Sequence, residues 1–279
     1  MVAVYTERTH RNVDLIGELY RREPLFAAIG FLMAALMLPT FAALLFETRT
    51  LEGVNLWLKP LKFQAALALY LLTLAFFAAW LPEGMKGRRW YRIYSVVVIA
   101  AIMAEILWIG AAAAMGVASH FNESSAIWTA LYAFMGLSAV TLTSASLVYG
   151  MQIQRNRATG LPPAFKAAVV NGLVLTFVLT LIVAGYMSST GSHLVGGNLS
   201  DAEAAPIFGW ARDGGDLRVA HLFATHAMHF IPVFGVVSVM VFGRDNRLPV
   251  HLFSLALISL AGFAIVQALM GLPFLPMIG

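Results

Sequence analysis

The chain has no cysteine among its 279 residues, and only 11% of those residues are charged. The first absence excludes a disulfide framework, a thiolate metal ligand, an iron–sulfur cluster and a cysteine nucleophile. The second removes the chain from the soluble class, where roughly a quarter of residues carry charge. An apolar leader core is also missing: Met1 to Glu23 is polar and charged, so no cleavable signal peptide is expected. Residues 249 to 279 contain no lysine, which argues against a retinal Schiff base and a microbial rhodopsin.

What is present is 60% hydrophobic. At about 20 apolar residues per crossing, the pattern reads as an all-α, polytopic bundle of seven transmembrane helices forming one domain. The spans are expected over about 24–46, 59–81, 92–116, 125–150, 164–187, 217–243 and 250–274. Residues 1–23 read as a cytoplasmic amphipathic segment, with Val13, Ile16, Leu19 and Tyr20 at roughly helical spacing. Pro39 is expected to kink the first span, and Pro60 fits the first turn of the second. The connection Ser188 to Asp216 is the longest, with a capping-box signal at Ser200 and Glu203, and is expected to be a lid or a connector.

The basic residues fix an expected orientation. Thirteen of the eighteen Lys and Arg residues fall in the N-terminal segment and in the loops after spans 2, 4 and 6. The positive-inside rule then places the N-terminus in the cytoplasm and the C-terminus outside, in a bacterial inner membrane. The net charge of +4 is explained by this topology and needs no nucleic acid.

Ionisable groups inside a span are expensive and usually functional. The sixth span carries Asp216, Arg218, His221, His226 and His229 ahead of Pro232, and the third carries Glu105. By helix rise, His226 and His229 lie about 10 and 15 Å below the outer boundary and Glu105 about 12 Å. Pro232 leaves the Met228 carbonyl without a donor, so a bend at the histidine level is expected. Lys59, Lys62 and Gln64 open the second span, and Ser119 to Ser125 forms a polar loop with His120 and Asn122. Ser124 or Ser125 is positioned to cap the fourth span.

Four readings fit these residues. The leading one is a metal-centred membrane enzyme, with His226, His229, His221 and His120 as ligands to zinc or iron and Glu105 as ligand or general base. Zinc implies hydrolysis, and iron or copper implies oxidation. In this reading Lys59, Lys62, Gln64, Asn122, Asp216 and Arg218 bind a small or lipid-soluble substrate from the outer side. The alternative is a proton-coupled transporter or sensor using the same histidines and glutamate as a relay. A b-type haem is the third, needing a second deep histidine that only a dipping connection supplies. The fourth is a network that locks helices together. The desaturase histidine boxes are rejected, since seven histidines are too few for that ligand set.

Three segments carry a resemblance: Lys59-Pro-Leu-Lys-Phe63, Ser119-His-Phe-Asn122, and Gly215 to His226 with its Gly-Asp-x-Arg-x-Ala-His-x4-His pattern. At these the chain resembles uncharacterised bacterial seven-helix membrane proteins. The resemblance implies the seven-helix bundle and assigns no activity.

Overall fold

The computed structural model describes residues 14–197 and 209–274. Val2 to Val13 and the Ser200 to Glu203 signal lie outside the described residues. The order begins with a short helix α1 (Leu15–Arg22) and continues with α2 (Pro24–Phe46), α3 (Leu58–Phe77), α4 (Arg89–Met115), α5 (Ala126–Arg155) and α6 (Pro163–Thr190). It ends with α7 (Leu217–Thr225), α8 (Ala227–Phe242) and α9 (Leu248–Leu269). Among the described residues, α2 to α6 and α9 make six helices long and apolar enough to cross a membrane, and α7 with α8 passes as a bent pair. The chain is therefore an all-α, multi-pass membrane bundle. Large apolar side chains on its outer surface, such as Leu38 at 75% and Met240 at 79% exposure, suit lipid rather than water.

Two faces organise the bundle. On the N-terminal face, Arg22 donates to the Phe76 carbonyl at the end of α3 and Asn156 donates to the Trp80 carbonyl. On the far face a two-residue hairpin (Thr50–Leu51 with Val54–Asn55) follows α2, and Leu194–Val195 pairs with Gly215–Asp216 at the mouth of α7. Gly215 is required there: a Cβ would lie 1.9 Å from the Ala268 carbonyl oxygen of α9. The largest apolar cluster joins α2, α3, α4, α5 and α6 through residues such as Phe26, Leu71, Leu74, Ile102 and Leu173. In lipid such contacts act through packing rather than water exclusion.

The expected boundaries hold to within a few residues except at two helix ends, where α9 stops at Leu269 rather than about 274 and α5 runs past 150. Pro39 lies inside helix α2. Helix α5 passes Gly150 and ends at Arg155, because Gly150 is a packing glycine: a Cβ there would lie 2.9 Å from Val174 of α6.

Candidate functional site

The sixth expected span is broken. Helices α7 and α8 are bent by 53° about His226, whose backbone sits at φ −99° and ψ 8°. Pro232 contributes by leaving the Met228 carbonyl without its N–H donor, yet the break falls nearer the histidines than the proline. Two residues of α6 account for its place. Thr176 Oγ1 accepts the Met228 N–H at 2.8 Å, replacing a bond in the helix ladder. Gly172 lets the turn come close, since a Cβ there would lie 3.0 Å from both the Ala227 carbonyl oxygen and Pro232 Cδ. On the α7 side, the Thr225 hydroxyl takes the His221 carbonyl at 2.9 Å.

At the break, His226 Nδ1 and His229 Nδ1 are 3.2 Å apart, and His229 Nε2 is 3.1 Å from Thr73 Oγ1 of α3. A hydrogen bond between two imidazole nitrogens needs one donor and one acceptor, so this pair holds one proton between its facing nitrogens. If His226 donates, His229 carries its own proton on Nε2 and donates to Thr73. If His229 donates, Nε2 becomes the acceptor for the Thr73 hydroxyl. Both arrangements satisfy every contact, and a proton moved along the string interconverts them.

Toward the far face the other expected residues form a looser string. Glu105 is 3% exposed, and its Oε1 is buried without a hydrogen-bond partner. Lys59 lies within electrostatic reach of both Glu105 and His120, and His120 within reach of His221. His221 Nδ1 is likewise buried without a partner, and His221 reaches His226 electrostatically. The loop after α4 does dip inward: Trp108 Nε1 donates to the Ser119 carbonyl at 2.9 Å, and Ser119 Oγ meets His120 Nδ1 at 3.0 Å. The His120 ring packs against Phe63, Phe121 and Tyr132. Burial pushes its imidazole down to about 3, with Lys59 and His221 adding to the effect.

Several expected substrate contacts turn out to have structural partners. Asp216 is 2% exposed and caps α7, accepting the Arg218 N–H and the Ala211 N–H at 2.9 Å each. The Arg218 guanidinium bonds Asp216 Oδ2 at 2.6 Å and the Gly209 carbonyl at 2.6 Å, so it ties the incoming chain to the start of α7. Lys62 Nζ lies beside Gly209, where an added Cβ would come within 2.9 Å of it. Asn122 closes its own turn by accepting from the Ser124 N–H and hydroxyl. Ser125, not Ser124, caps α5. Gln64 Nε2 donates to Thr40 at 2.9 Å, while its Oε1 is buried and unpartnered.

Among the described residues, no three His, Asp or Glu side chains are gathered to hold one metal ion. His120, His221, His226 and His229 are strung along the bundle, and the facing nitrogens of the last two are turned on each other. Thr73, Thr176 and Gly172 escaped the sequence reading because each acts from another helix. The spacing of Gly172 and Thr176, one turn apart on α6, is the one signal that marked them as a small-residue packing face. No model of a known protein family matches the chain, and no curated protein or solved structure matches it.

Proposed function

We propose that the chain is a proton-coupled transporter of the bacterial inner membrane, in which the broken sixth of seven spans is the moving part. The N-terminal face is cytoplasmic, in line with the concentration of Lys and Arg on that side. A small solute binds toward the far face, among Lys59, Glu105, His120 and His221. The observation that carries the reading is the His226 to His229 contact of 3.2 Å at a 53° break. Discontinuous helices near mid-membrane are a recurring transporter device. Here the break contains a group whose bonding depends on proton count. One added proton leaves the contact standing, a charged ring donating to a neutral one; two added protons turn both facing nitrogens into donors, abolish the contact and place two like charges together in a low-dielectric interior. Release of that strain through the hinge couples proton binding to the angle between α7 and α8.

The test is nitrogen NMR on the histidine-labelled, full-length protein in lipid nanodiscs. The reading expects a through-hydrogen-bond coupling between the two Nδ1 atoms that vanishes on acidification and is absent in His226→Gln and His229→Gln. A pair without coupling at any pH, or a coupling unmoved by acid, contradicts it. A second reading, a metal-dependent enzyme, draws on the buried, unpartnered Glu105 Oε1 and His221 Nδ1, which suit an occupant that accepts lone pairs. Stoichiometric zinc or iron in protein purified without chelators, lost in Glu105→Gln, would favour it over transport.

A further inference from the structure

At the opposite face a second titratable group sits at a second elbow. Glu23 joins α1 to α2: its N–H bonds the Leu19 carbonyl at 3.0 Å and its carbonyl accepts the Ala27 N–H at 3.0 Å. Its side chain points inward and is 5% exposed. There Glu23 Oε2 accepts the Tyr91 hydroxyl of α4 at 2.6 Å, and the Tyr91 and Tyr149 hydroxyls of α4 and α5 are 2.6 Å apart. Tyr91 and Tyr149 are both buried, the latter stacked on Phe26 of α2.

The neighbouring cations are engaged elsewhere. Arg22 holds Glu18 at 2.8 Å and the Phe76 carbonyl at 2.8 Å, with its guanidinium 4.7 Å from the Phe76 ring centroid. Lys86, from the turn before α4, donates to the Arg22 carbonyl and reaches Glu23 only electrostatically. The remaining titratable groups facing the carboxyl are the two tyrosines, and the Leu25 backbone N–H reaches it as well. Burial raises the Glu23 carboxyl above the ordinary glutamate range, opposed by the Tyr91 hydrogen bond and Lys86.

The hydrogen-bond directions permit two states. With Glu23 ionised, Tyr149 donates to Tyr91 and Tyr91 donates to the carboxylate. With Glu23 protonated, the carboxyl O–H donates to Tyr91, which turns its own proton toward Tyr149 or toward Ser95, whose buried hydroxyl one turn along α4 has no other partner. Neither state leaves the carboxyl unsatisfied. A buried acid kept for packing alone needs only one of them.

We propose that Glu23, Tyr91 and Tyr149 form a second proton-binding site at the N-terminal face, exchanging protons with the cytoplasm. Its purpose as the inner end of the pathway rests on the transporter reading, but the site itself does not. With α1 folded over it, access depends on the elbow that Glu23 occupies. The two titratable sites then stand at the two articulated points of the bundle, one at the N-terminal face and one at the break in the sixth span.

Difference infrared spectroscopy on the intact chain in nanodiscs tests this. In a Glu105→Gln background, which removes the other buried glutamate, the protein is expected to show a protonated-carboxyl band titrating above the ordinary glutamate range, and Glu23→Gln is expected to abolish it. Tyr91→Phe removes a donor to the carboxylate, so the midpoint of that band should rise by about one pH unit or more. A titrating band that survives Glu23→Gln, or a midpoint unmoved by Tyr91→Phe, overturns the proposal. Should Glu23→Gln fail to fold, the Tyr91→Phe shift decides alone. The coupling between His226 and His229 should persist in Tyr91→Phe, so the two sites fail or stand separately.

Discussion

Toward the N-terminal face, Tyr70, Tyr91, Tyr94 and Tyr149 each place a hydroxyl within 2.8 Å of a partner on another helix or at an elbow. Toward the far face, Gln64, Glu105, Thr180, His221 and Gln267 each bury an oxygen or nitrogen with no partner. A buried polar atom left unmade costs about 1–3 kcal/mol, so the far half carries a burden that the other half avoids. Among the described residues, the near half has two unpartnered groups of its own, the single hydroxyls of Ser95 and Ser238. The contrast separates a half whose tyrosine hydroxyls are paired across helices from one that buries several polar atoms unpaired, the half to which the transport proposal assigns the solute.

The largest effect is expected where the halves meet. Gly172→Val forces a side chain against the Ala227 carbonyl and Pro232, and backbone cannot yield as a side-chain tip can. Thermal unfolding in detergent should show a loss of about 3 kcal/mol or an inactive, misassembled protein. Stability within about 0.5 kcal/mol of wild type would mean that α6 does not clasp the break.

Two isosteric changes one turn apart on α6 sharpen the contrast. Thr176→Val strips the acceptor from the Met228 N–H and should cost about 1–3 kcal/mol. Thr180→Val removes a hydroxyl that has no partner, so it should be neutral or stabilising by up to about 1 kcal/mol. Equal losses from both would erase the distinction between a satisfied and a vacant half.

The far-face loop should be sensitive to acid. His120 has an ordinary value of 6.5 and falls to about 3 in the folded protein, so its neutral form favours the fold. That stability is present above 6.5 and is lost as pH drops from 6.5 toward 3. His120→Gln, which cannot titrate, should flatten acid unfolding over this window. An unchanged acid profile would show that the ring is already solvated.

The smallest effect belongs to Glu47, held down to about 2 by the Arg49 guanidinium beside it. Its contribution exists above the ordinary 4.5 and disappears as pH falls toward 2. Because the pair is exposed, Glu47→Gln should change stability barely measurably and only above that window. A large effect would mean that the hairpin after α2 is held by this pair.

The sequence made the spans legible because apolar length is a local property; α2 was readable from 24 to 46 and was found there. Local chemistry also marked the bend through Pro232. Its place at the histidine level was readable and holds, whereas the clasp by Thr176 and Gly172 was not, since both act on it across a helix interface. Arg218 looked like a substrate clamp because its partner Gly209 lies at the end of a long connection that carries no periodic pattern. Glu23 read as the tail of a surface segment, and only packing shows α4 and α5 bringing Tyr91 and Tyr149 to it. Charged and polar residues were therefore easy to find, while their partners depended on tertiary contact.

The absence of cysteine makes the decisive measurement straightforward. Spin labels on Asp213→Cys and Met240→Cys mark exposed positions at the two ends of the bent span. With arms of about 14 Å along α7 and about 21 Å from His226 to Met240, at ~1.5 Å per residue, straightening the 53° bend lengthens the separation by roughly 3–4 Å. Double electron–electron resonance in nanodiscs should show this distance changing between about pH 8 and about pH 4, and staying fixed in His229→Gln. A distance that ignores pH in the wild type, or that still responds in His229→Gln, would contradict a proton-operated break.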